Sequence, residues 1–188
     1  MKIEEIVEVI KNGGVVVCPT DTVYGLLADA ANKKAVEKVF QIKKRSKTKP
    51  LPIFVKDIKA AKKFAYISEE QKKILKDKWP GKFTFVLKKR KEKIFGADKK
   101  TIALRVPNYK LINILLEELN RPLTGTSANI SGQPASTKIK EVLSQFKNQK
   151  IKPDLILDAG DLPESFPSAI IDLTGKTPKI IRGEKNNK

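Results

Sequence analysis

An apolar run is followed directly by polar residues in the segment Val15-Val16-Val17-Cys18-Pro19-Thr20-Asp21-Thr22-Val23-Tyr24-Gly25-Leu26. The apolar run 15–18 predicts a strand that is buried on both faces and ends at Pro19. Three polar residues, 20–22, then follow at the carboxyl end of this strand, where α/β sheets usually hold their ligands. Because Thr and Asp also cap helices well, an N-cap for a following helix is the competing interpretation of the same residues.

Strand and helix patterns alternate along the rest of the chain and predict an α/β fold. The predicted strands cover residues 15–18, 51–55, 83–87, 102–106, 155–157, 169–173 and 179–181. The predicted helices cover residues 3–11, 111–119 and 139–146, and three more begin after caps at Asn32, Asp57 and Ser68. No linker is long enough to separate domains, so one domain over 1–188 is expected, with frayed residues at 184–188.

Composition places the chain among soluble globular proteins. Its 188 residues are 40% hydrophobic and 32% charged, and no apolar run approaches the roughly 20 residues that cross a bilayer. The first residues include acids where a secretory signal would be apolar. The expected location is therefore the cytoplasm, without a membrane partner.

The sequence contains no histidine and one cysteine, Cys18. These counts exclude an intrachain disulfide, a four-cysteine zinc site, histidine-ligated metals and the Ser-His-Asp and Cys-His types of catalysis. The two common phosphate-binding loops, Gly-x-x-x-x-Gly-Lys-Ser/Thr and Gly-x-Gly-x-x-Gly, are also missing. Any chemistry has to use hydroxyls, carboxylates, lysine, arginine and the backbone.

The charge balance is strongly basic, with 39 Lys and Arg against 21 Asp and Glu, a net charge of +18. Such a charge attracts nucleotides and nucleic acids, although solvated surface lysines account for it equally well. Only five of the basic residues are arginines. In a chain whose usual cation is lysine, an arginine points to a site that needs its planar fork for a carboxylate or a phosphate.

Three further segments are candidates for chemistry. The basic segment 43–50 suits a polyphosphate, or is a solvated loop. In the predicted strand 101–107, alternation places Thr101, Ala103 and Arg105 on one face, where Arg105 meets either a ligand carboxylate or a structural ion pair. The segment 124–132 combines glycines with hydroxyl and amide side chains and favours a binding loop over a plain turn.

Taken together, these segments resemble the YrdC/TsaC family. The resemblance rests on seven motifs in the family's order, between Gly14 and Gly183. They are Pro19-Thr20-Asp21-Thr22-Val23-Tyr24-Gly25-Leu26, Lys43-x-Arg45 with Lys49-Pro50-Leu51, Trp79-Pro80-Gly81-x-x-Thr84, Leu104-Arg105-Val106-Pro107, Ser127-Ala128-Asn129-x-Ser131-Gly132, Pro167-Ser168-x-Ile170-Ile171-Asp172 and the Arg182-Gly183 end.

The resemblance implies a twisted, mostly mixed or antiparallel sheet with helices packed on it and a concave electropositive cavity. It implies a nucleotidyltransferase, L-threonylcarbamoyladenylate synthase, which joins L-threonine, bicarbonate and ATP and releases pyrophosphate. The product then serves threonylcarbamoyl transfer to the adenosine beside the anticodon of tRNA, by downstream transfer proteins. Mg²⁺ is expected on the ATP phosphates, with no protein metal site.

The family's site residues carry over to matching positions of this sequence. The catalytic set is Lys43, Arg45, Ser127 and Asn129, and these four also bind ATP together with Lys49, Thr101 and Arg182. The threonine-binding set is Thr22, Arg105, Gly125 and Ser168. No protein nucleophile is expected, because the reaction needs mainly positioning and charge neutralisation.

The sequence departs from the family pattern at two positions and in length. Phe54 stands where some relatives have histidine, Ala169 replaces a threonine, and the chain ends before the carboxyl-terminal domain of the longer members. An alternative function is a maturation factor that binds double-stranded RNA or the ribosome through the same cavity, by phosphate contacts. A third is the carbamoyl-transferring domain of hydrogenase maturation proteins, whose usual zinc-finger modules this chain cannot house.

Overall fold

The computed structural model describes residues 3–183, which form six helices and ten strands. The helices are α1 (Ile3–Lys11), α2 (Lys33–Ile42), α3 (Ile58–Phe64), α4 (Glu69–Lys78), α5 (Lys110–Leu119) and α6 (Ile139–Lys147). The strands are β1 (Val16–Cys18), β2 (Gly25–Leu27), β3 (Ile53–Phe54), β4 (Phe83–Lys88), β5 (Thr101–Arg105), β6 (Leu123–Thr124), β7 (Thr126–Ser127), β8 (Leu155–Ile156), β9 (Ala169–Asp172) and β10 (Lys179–Arg182). The frayed end expected at 184–188 lies outside the described residues.

The strands make two mixed sheets, so the predicted α/β class with mixed pairing is confirmed. One sheet has the order β7-β2-β1-β8 and the other β10-β9-β4-β5-β3-β6. The chain passes from the second sheet to the first at Gly125, which lies between β6 and β7. An isolated bridge between Asp29 and Leu123 also joins the end of β2 to β6. This crossing brings loops from both sheets to one place.

Apolar side chains bury both faces of β1, as the sequence predicted. Val17 packs into a cluster with residues of α2 and α6, whereas Val16 and Cys18 pack into another with α1 and α5. A third cluster lies between the larger sheet and helices α3 and α4. Burial in an apolar environment raises the pKa of Cys18 to about 12, so its thiol is neutral and inert.

The three predicted helix caps are confirmed. The side chains of Asn32 and Asp57 accept hydrogen bonds from the backbone of α2 and α3, and Ser68 forms a capping box with Gln71 at the start of α4. The cap proposed for residues 20–22 is wrong, because no helix follows them. Thr20 Oγ1 instead accepts from Thr22 N and donates to the carbonyl of Val23, which turns the chain into β2.

No helix of residues 3–183 is both long enough and apolar enough to cross a bilayer.

Candidate active site

A cavity of about 240 Å³ lies between the two sheets and is lined by both. The smaller sheet contributes Gly25, Thr126 and Ser127. The larger sheet contributes residues of five strands: Phe54, Val86, Ala103, Arg105, Ile170, Ile181 and Arg182. Ser168, which directly precedes β9, also lines the cavity. The cavity therefore collects residues that are up to 162 positions apart in the sequence, from Thr20 to Arg182.

Arg105 is held in the wall of this cavity by three acceptors. Its Nη2 donates to Asp21 Oδ1 at 2.7 Å, its Nε to the Gly81 carbonyl at 2.8 Å, and its Nη1 to the hydroxyl of Thr22 at 3.4 Å. The side chains of Arg105 and Asp21 are only 3% and 8% exposed. The sequence left two partners open for Arg105, a structural ion pair and a ligand carboxylate. The structure is compatible with both, because the ion pair with Asp21 fixes a guanidinium that still lines the cavity. A guanidinium has five N–H donors, and these bonds use three of them, so two N–H groups make no hydrogen bond with the described residues.

Arg45 and Arg182 line the same cavity but are anchored in another way. Arg45 donates from Nε to the Lys49 carbonyl and from Nη2 to the Pro50 carbonyl, at 2.9 and 3.0 Å. Arg182 donates to the Ser168 carbonyl from Nε and Nη2, at 3.1 and 2.8 Å. Neither forms a salt bridge with a carboxylate of residues 3–183.

The arginine charges act on one another. Burial lowers the pKa of Arg182, and the charge of Arg45 lowers it further. For Arg105, burial is again the largest cause of a lowered pKa, and the charge of Arg182 adds to it against the opposing effect of Asp21. Three cations thus share one cavity with a single carboxylate among the described lining residues and their salt-bridge partners. An anion that entered would relieve this repulsion.

Lys43 is buried behind the cavity wall and does not line it. Its Nζ donates to the carbonyls of Ser127 and Asn129 at 2.5 and 2.9 Å, and to Asn129 Oδ1 at 2.9 Å. Burial first, and the charge of Arg45 second, lower the pKa of Lys43 from 10.5 to about 7. All three ammonium hydrogens are directed at the loop 127–129, so this lysine holds the shape of the loop.

The loop itself places Ser127 at the cavity and Asn129 behind it. Ser127 Oγ donates to Asn129 Oδ1 at 2.6 Å, and Asn129 Nδ2 donates to the carbonyl of Gln133 at 2.6 Å. On the opposite wall, the hydroxyls of Ser168 and Thr84 are 2.9 Å apart and both are buried. Hydroxyl groups therefore face the cavity from both sheets.

Of the sequence-predicted site residues, the structure brings seven to the cavity: Thr22, Arg45, Arg105, Gly125, Ser127, Ser168 and Arg182. Four do not line it: Lys43, Lys49, Thr101 and Asn129. Lys43 and Asn129 support the wall, as described above. The Lys49 side chain is exposed and supplies only its carbonyl, to Arg45. Thr101 is the first residue of β5 and lies on the same face as Ala103 and Arg105, but outside the cavity that those two residues line.

Two residues of the cavity region, Asp21 and Phe54, contact Arg105 although the sequence predicts no role of their own for them. The signal for Asp21 is its position as a lone acid shortly after the buried strand 15–18. Phe54 was noted only as a departure from relatives. Its ring lies under the guanidinium of Arg105, 5.6 Å from centroid to Cζ, and beside Gly125, where an added Cβ would be 2.3 Å from the ring.

The comparisons with known proteins agree on one family. A family model named Sua5_yciO_yrdC and described as telomere recombination matches residues 8–183. A Methanocaldococcus jannaschii protein, whose name proposes threonylcarbamoyl-AMP synthase activity, is 40% identical over 172 residues, which are 92% of this chain and 79% of that protein. The threonylcarbamoyl-AMP synthase of Pyrococcus abyssi is 35% identical over 176 residues, 92% of this chain. The match spans only 51% of the Pyrococcus protein's length.

Solved structures give the same result. Pyrococcus abyssi Sua5 in complex with L-threonine superposes with a TM-score of 0.87 at 34% identity, over 96% of this chain and 53% of that one. Escherichia coli YciO superposes with a TM-score of 0.86 at 29% identity, over 98% of this chain and 90% of that one.

Proposed function

From the membership of this chain in the Sua5/YciO/YrdC family, we propose that it is a threonylcarbamoyl-AMP synthase, a nucleotidyltransferase that uses ATP, L-threonine and bicarbonate. Two relatives bear or propose this name, and the solved Pyrococcus protein holds L-threonine. One observation carries the proposal for this chain. Arg45 and Arg182 are fixed by backbone carbonyls in the cavity that also holds Arg105, without a salt bridge to a carboxylate of the described residues.

The proposed substrate positions follow from the charges. The two arginines anchored by carbonyls receive the phosphates of ATP, because a guanidinium without a carboxylate partner binds phosphate oxygens strongly. Arg105 receives the carboxylate of threonine, since its ion pair with Asp21 has already set its orientation. The hydroxyls of Thr22 and Ser168 lie near enough to the cavity to bind the amine or hydroxyl of threonine. The backbone at Gly125 completes the threonine pocket, and Ser127 faces the nucleotide.

The proposed reaction has two steps. The amine of threonine adds to bicarbonate, loses water and becomes a carbamate. An oxygen of that carbamate then forms a bond to the α-phosphorus of ATP, while the bond to the β,γ-pyrophosphate breaks and pyrophosphate leaves. The arginines act by holding the two anions together and by stabilising the charge that develops on the leaving group. No side chain becomes covalently bonded to substrate.

We propose that the protein itself supplies no metal site. Residues 3–183 contain no group of three His, Cys, Asp or Glu side chains able to hold a metal, and Asp21 is committed to Arg105. We therefore propose that Mg²⁺ enters with ATP, held by phosphate oxygens and water, which is its usual mode in nucleotide sites. The product would be consumed by proteins that transfer the threonylcarbamoyl group to tRNA.

The test is product formation by the purified chain with ATP, Mg²⁺, bicarbonate and labelled L-threonine. We expect a labelled adenylate and an equal amount of pyrophosphate, and neither when bicarbonate is removed. The matched control is Arg45→Gln, which removes one phosphate-binding cation and leaves Arg105 intact. A wild-type protein that is folded but makes no adenylate contradicts the proposal.

A further inference from the structure

A second cavity, of about 430 Å³, lies away from the candidate active site, between α6 and the segment that leads into β8. Its walls include the apolar side chains of Leu143, Phe146 and Ile156. None of its lining residues belongs to the active-site cavity. Its volume falls in the range of roughly 300–1,000 Å³ that is typical of ligand pockets. We call it the α6–β8 groove.

One exposed apolar residue, Leu143, lines this groove, and a second, Ile151, directly precedes a lining residue in sequence. The other three apolar residues of α6, Ile139, Val142 and Phe146, are buried, but Leu143 is 40% exposed, and so is Ile151, next to the groove in sequence. The other large exposed apolar residues of residues 3–183 do not line this groove. Tyr66 stacks with Arg90, and Phe166, Ile180 and Ile181 lie in or beside segments that line the active site. The exposed apolar surface at Leu143 is therefore separate from the active-site cavity.

The rim of the groove is cationic. Lys140, Lys147 and Lys152 line it, and no carboxylate of the described residues does. None of the three lysines is within 4.0 Å of a carboxylate of residues 3–183. The nearest acids along the chain are already engaged, because Glu141 accepts from Ser136 and Asp154 pairs with Lys38. The positive charge at the rim is thus available to a partner.

We propose that the α6–β8 groove docks an acidic amphipathic segment of a partner protein, with apolar side chains in the groove and Asp or Glu side chains against the lysines. Charge complementarity selects this occupant over the alternatives. A symmetric contact with a second copy would bring lysines against lysines in a chain of net charge +18. An anionic membrane is flat, whereas this surface is concave. Its shape suits side chains that insert from a partner segment, as in other helix-binding grooves.

The test uses a fluorescein-labelled helical peptide of about 18 residues, five turns, with Leu and Phe on one face and Glu on the other. Anisotropy with the full chain measures its affinity. The groove variant is Lys147→Glu with Lys152→Glu, and the matched control is Lys62→Glu with Lys63→Glu, two exposed lysines in the last turn of α3. Both variants change the net charge equally. Because two rim contacts become repulsive, we expect about tenfold weaker binding for the groove variant and a change within about twofold for the control.

A third variant, Leu143→Ser, tests the apolar part of the groove. This side chain is partly exposed, so the fold tolerates the change, and we expect weaker binding without a change in salt dependence. Adenylate formation by all three variants should equal that of wild type. The proposal is overturned if the peptide does not bind saturably, if the groove and control variants weaken binding equally, or if a peptide with Lys in place of Glu binds equally well. It is also overturned if the chain binds phosphatidylglycerol vesicles more tightly than the peptide. Concentration-dependent dimers that are lost in the groove variant would overturn it as well.

Discussion

Replacing Arg105 with lysine should separate the use of threonine from the use of ATP. Lysine keeps the positive charge, but its single nitrogen cannot replace a guanidinium that already donates to Asp21, Thr22 and the Gly81 carbonyl. The forked contact to the threonine carboxylate would be lost. A hydrogen bond to a charged group is worth about 1.5–3 kcal/mol, so KM for threonine should rise about 10- to 150-fold.

The assay is adenylate formation with each substrate varied in turn. Because Arg105 is assigned to the amino acid, KM for ATP should stay within about threefold of wild type. The matched control is Arg182→Lys, which is assigned to the phosphates and should raise KM for ATP more than KM for threonine. Equal increases for both substrates in Arg105→Lys, or the reversed pattern in the two variants, would refute the assignment of Arg105. Thermal unfolding of each variant checks that the fold is retained.

Three other predictions concern the residues that support the walls of the cavity. Folding lowers the pKa of Lys43 from 10.5 to about 7, so above pH 7 the unfolded state holds more protons than the folded state. The free energy of unfolding of the wild type should therefore rise between pH 7 and about 8.5. In urea titrations, Lys43→Met should abolish this rise. Gly125→Ala should destabilise the fold by about 1–3 kcal/mol, because the added Cβ would overlap the Phe54 ring. In the same titrations, the double variant with Phe54→Leu should recover part of the lost stability, and no recovery would contradict the contact between Gly125 and Phe54. Asp21→Asn leaves the buried charge of Arg105 without its ion pair and should lower the free energy of unfolding by about 3–5 kcal/mol. Thermal unfolding measures this loss, and an unchanged melting temperature would show that the ion pair does not stabilise the fold.

Hydrophobic pattern was sufficient for most of the fold. The apolar spacing of α1, α5 and α6 gave these helices within one residue at each end, and Asn32, Asp57 and Ser68 marked three helix starts because their side chains cap locally. The strands β2, β6 and β7 were missed. They have two or three residues each, too few to establish a period of two. In addition, β6 and β7 pair with strands that are far away in the chain, β3 and β2.

For the candidate site too, local patterns in the sequence were sufficient, whereas contacts between distant residues could not be predicted. Alternation along β5 placed Ala103 and Arg105 on one face, and both line the cavity. The partner of Arg105 could not be chosen from the sequence, because Asp21 is 84 residues away and only the meeting of the two sheets brings it within 2.7 Å. The position of Lys43 was equally hidden. A lysine in a basic segment suggests a solvated or phosphate-binding side chain, yet this one is 2% exposed and holds the loop 127–129.

A crystal structure of this protein with L-threonine and a non-hydrolysable ATP analogue is the most direct test of the central claim, that one cavity holds both substrates side by side. We expect the triphosphate against Arg45 and Arg182, and the carboxylate of threonine against Arg105, with the threonine amine directed towards the α-phosphorus. Density for either ligand on a different surface, or for a nucleotide that excludes threonine from the cavity, would contradict it.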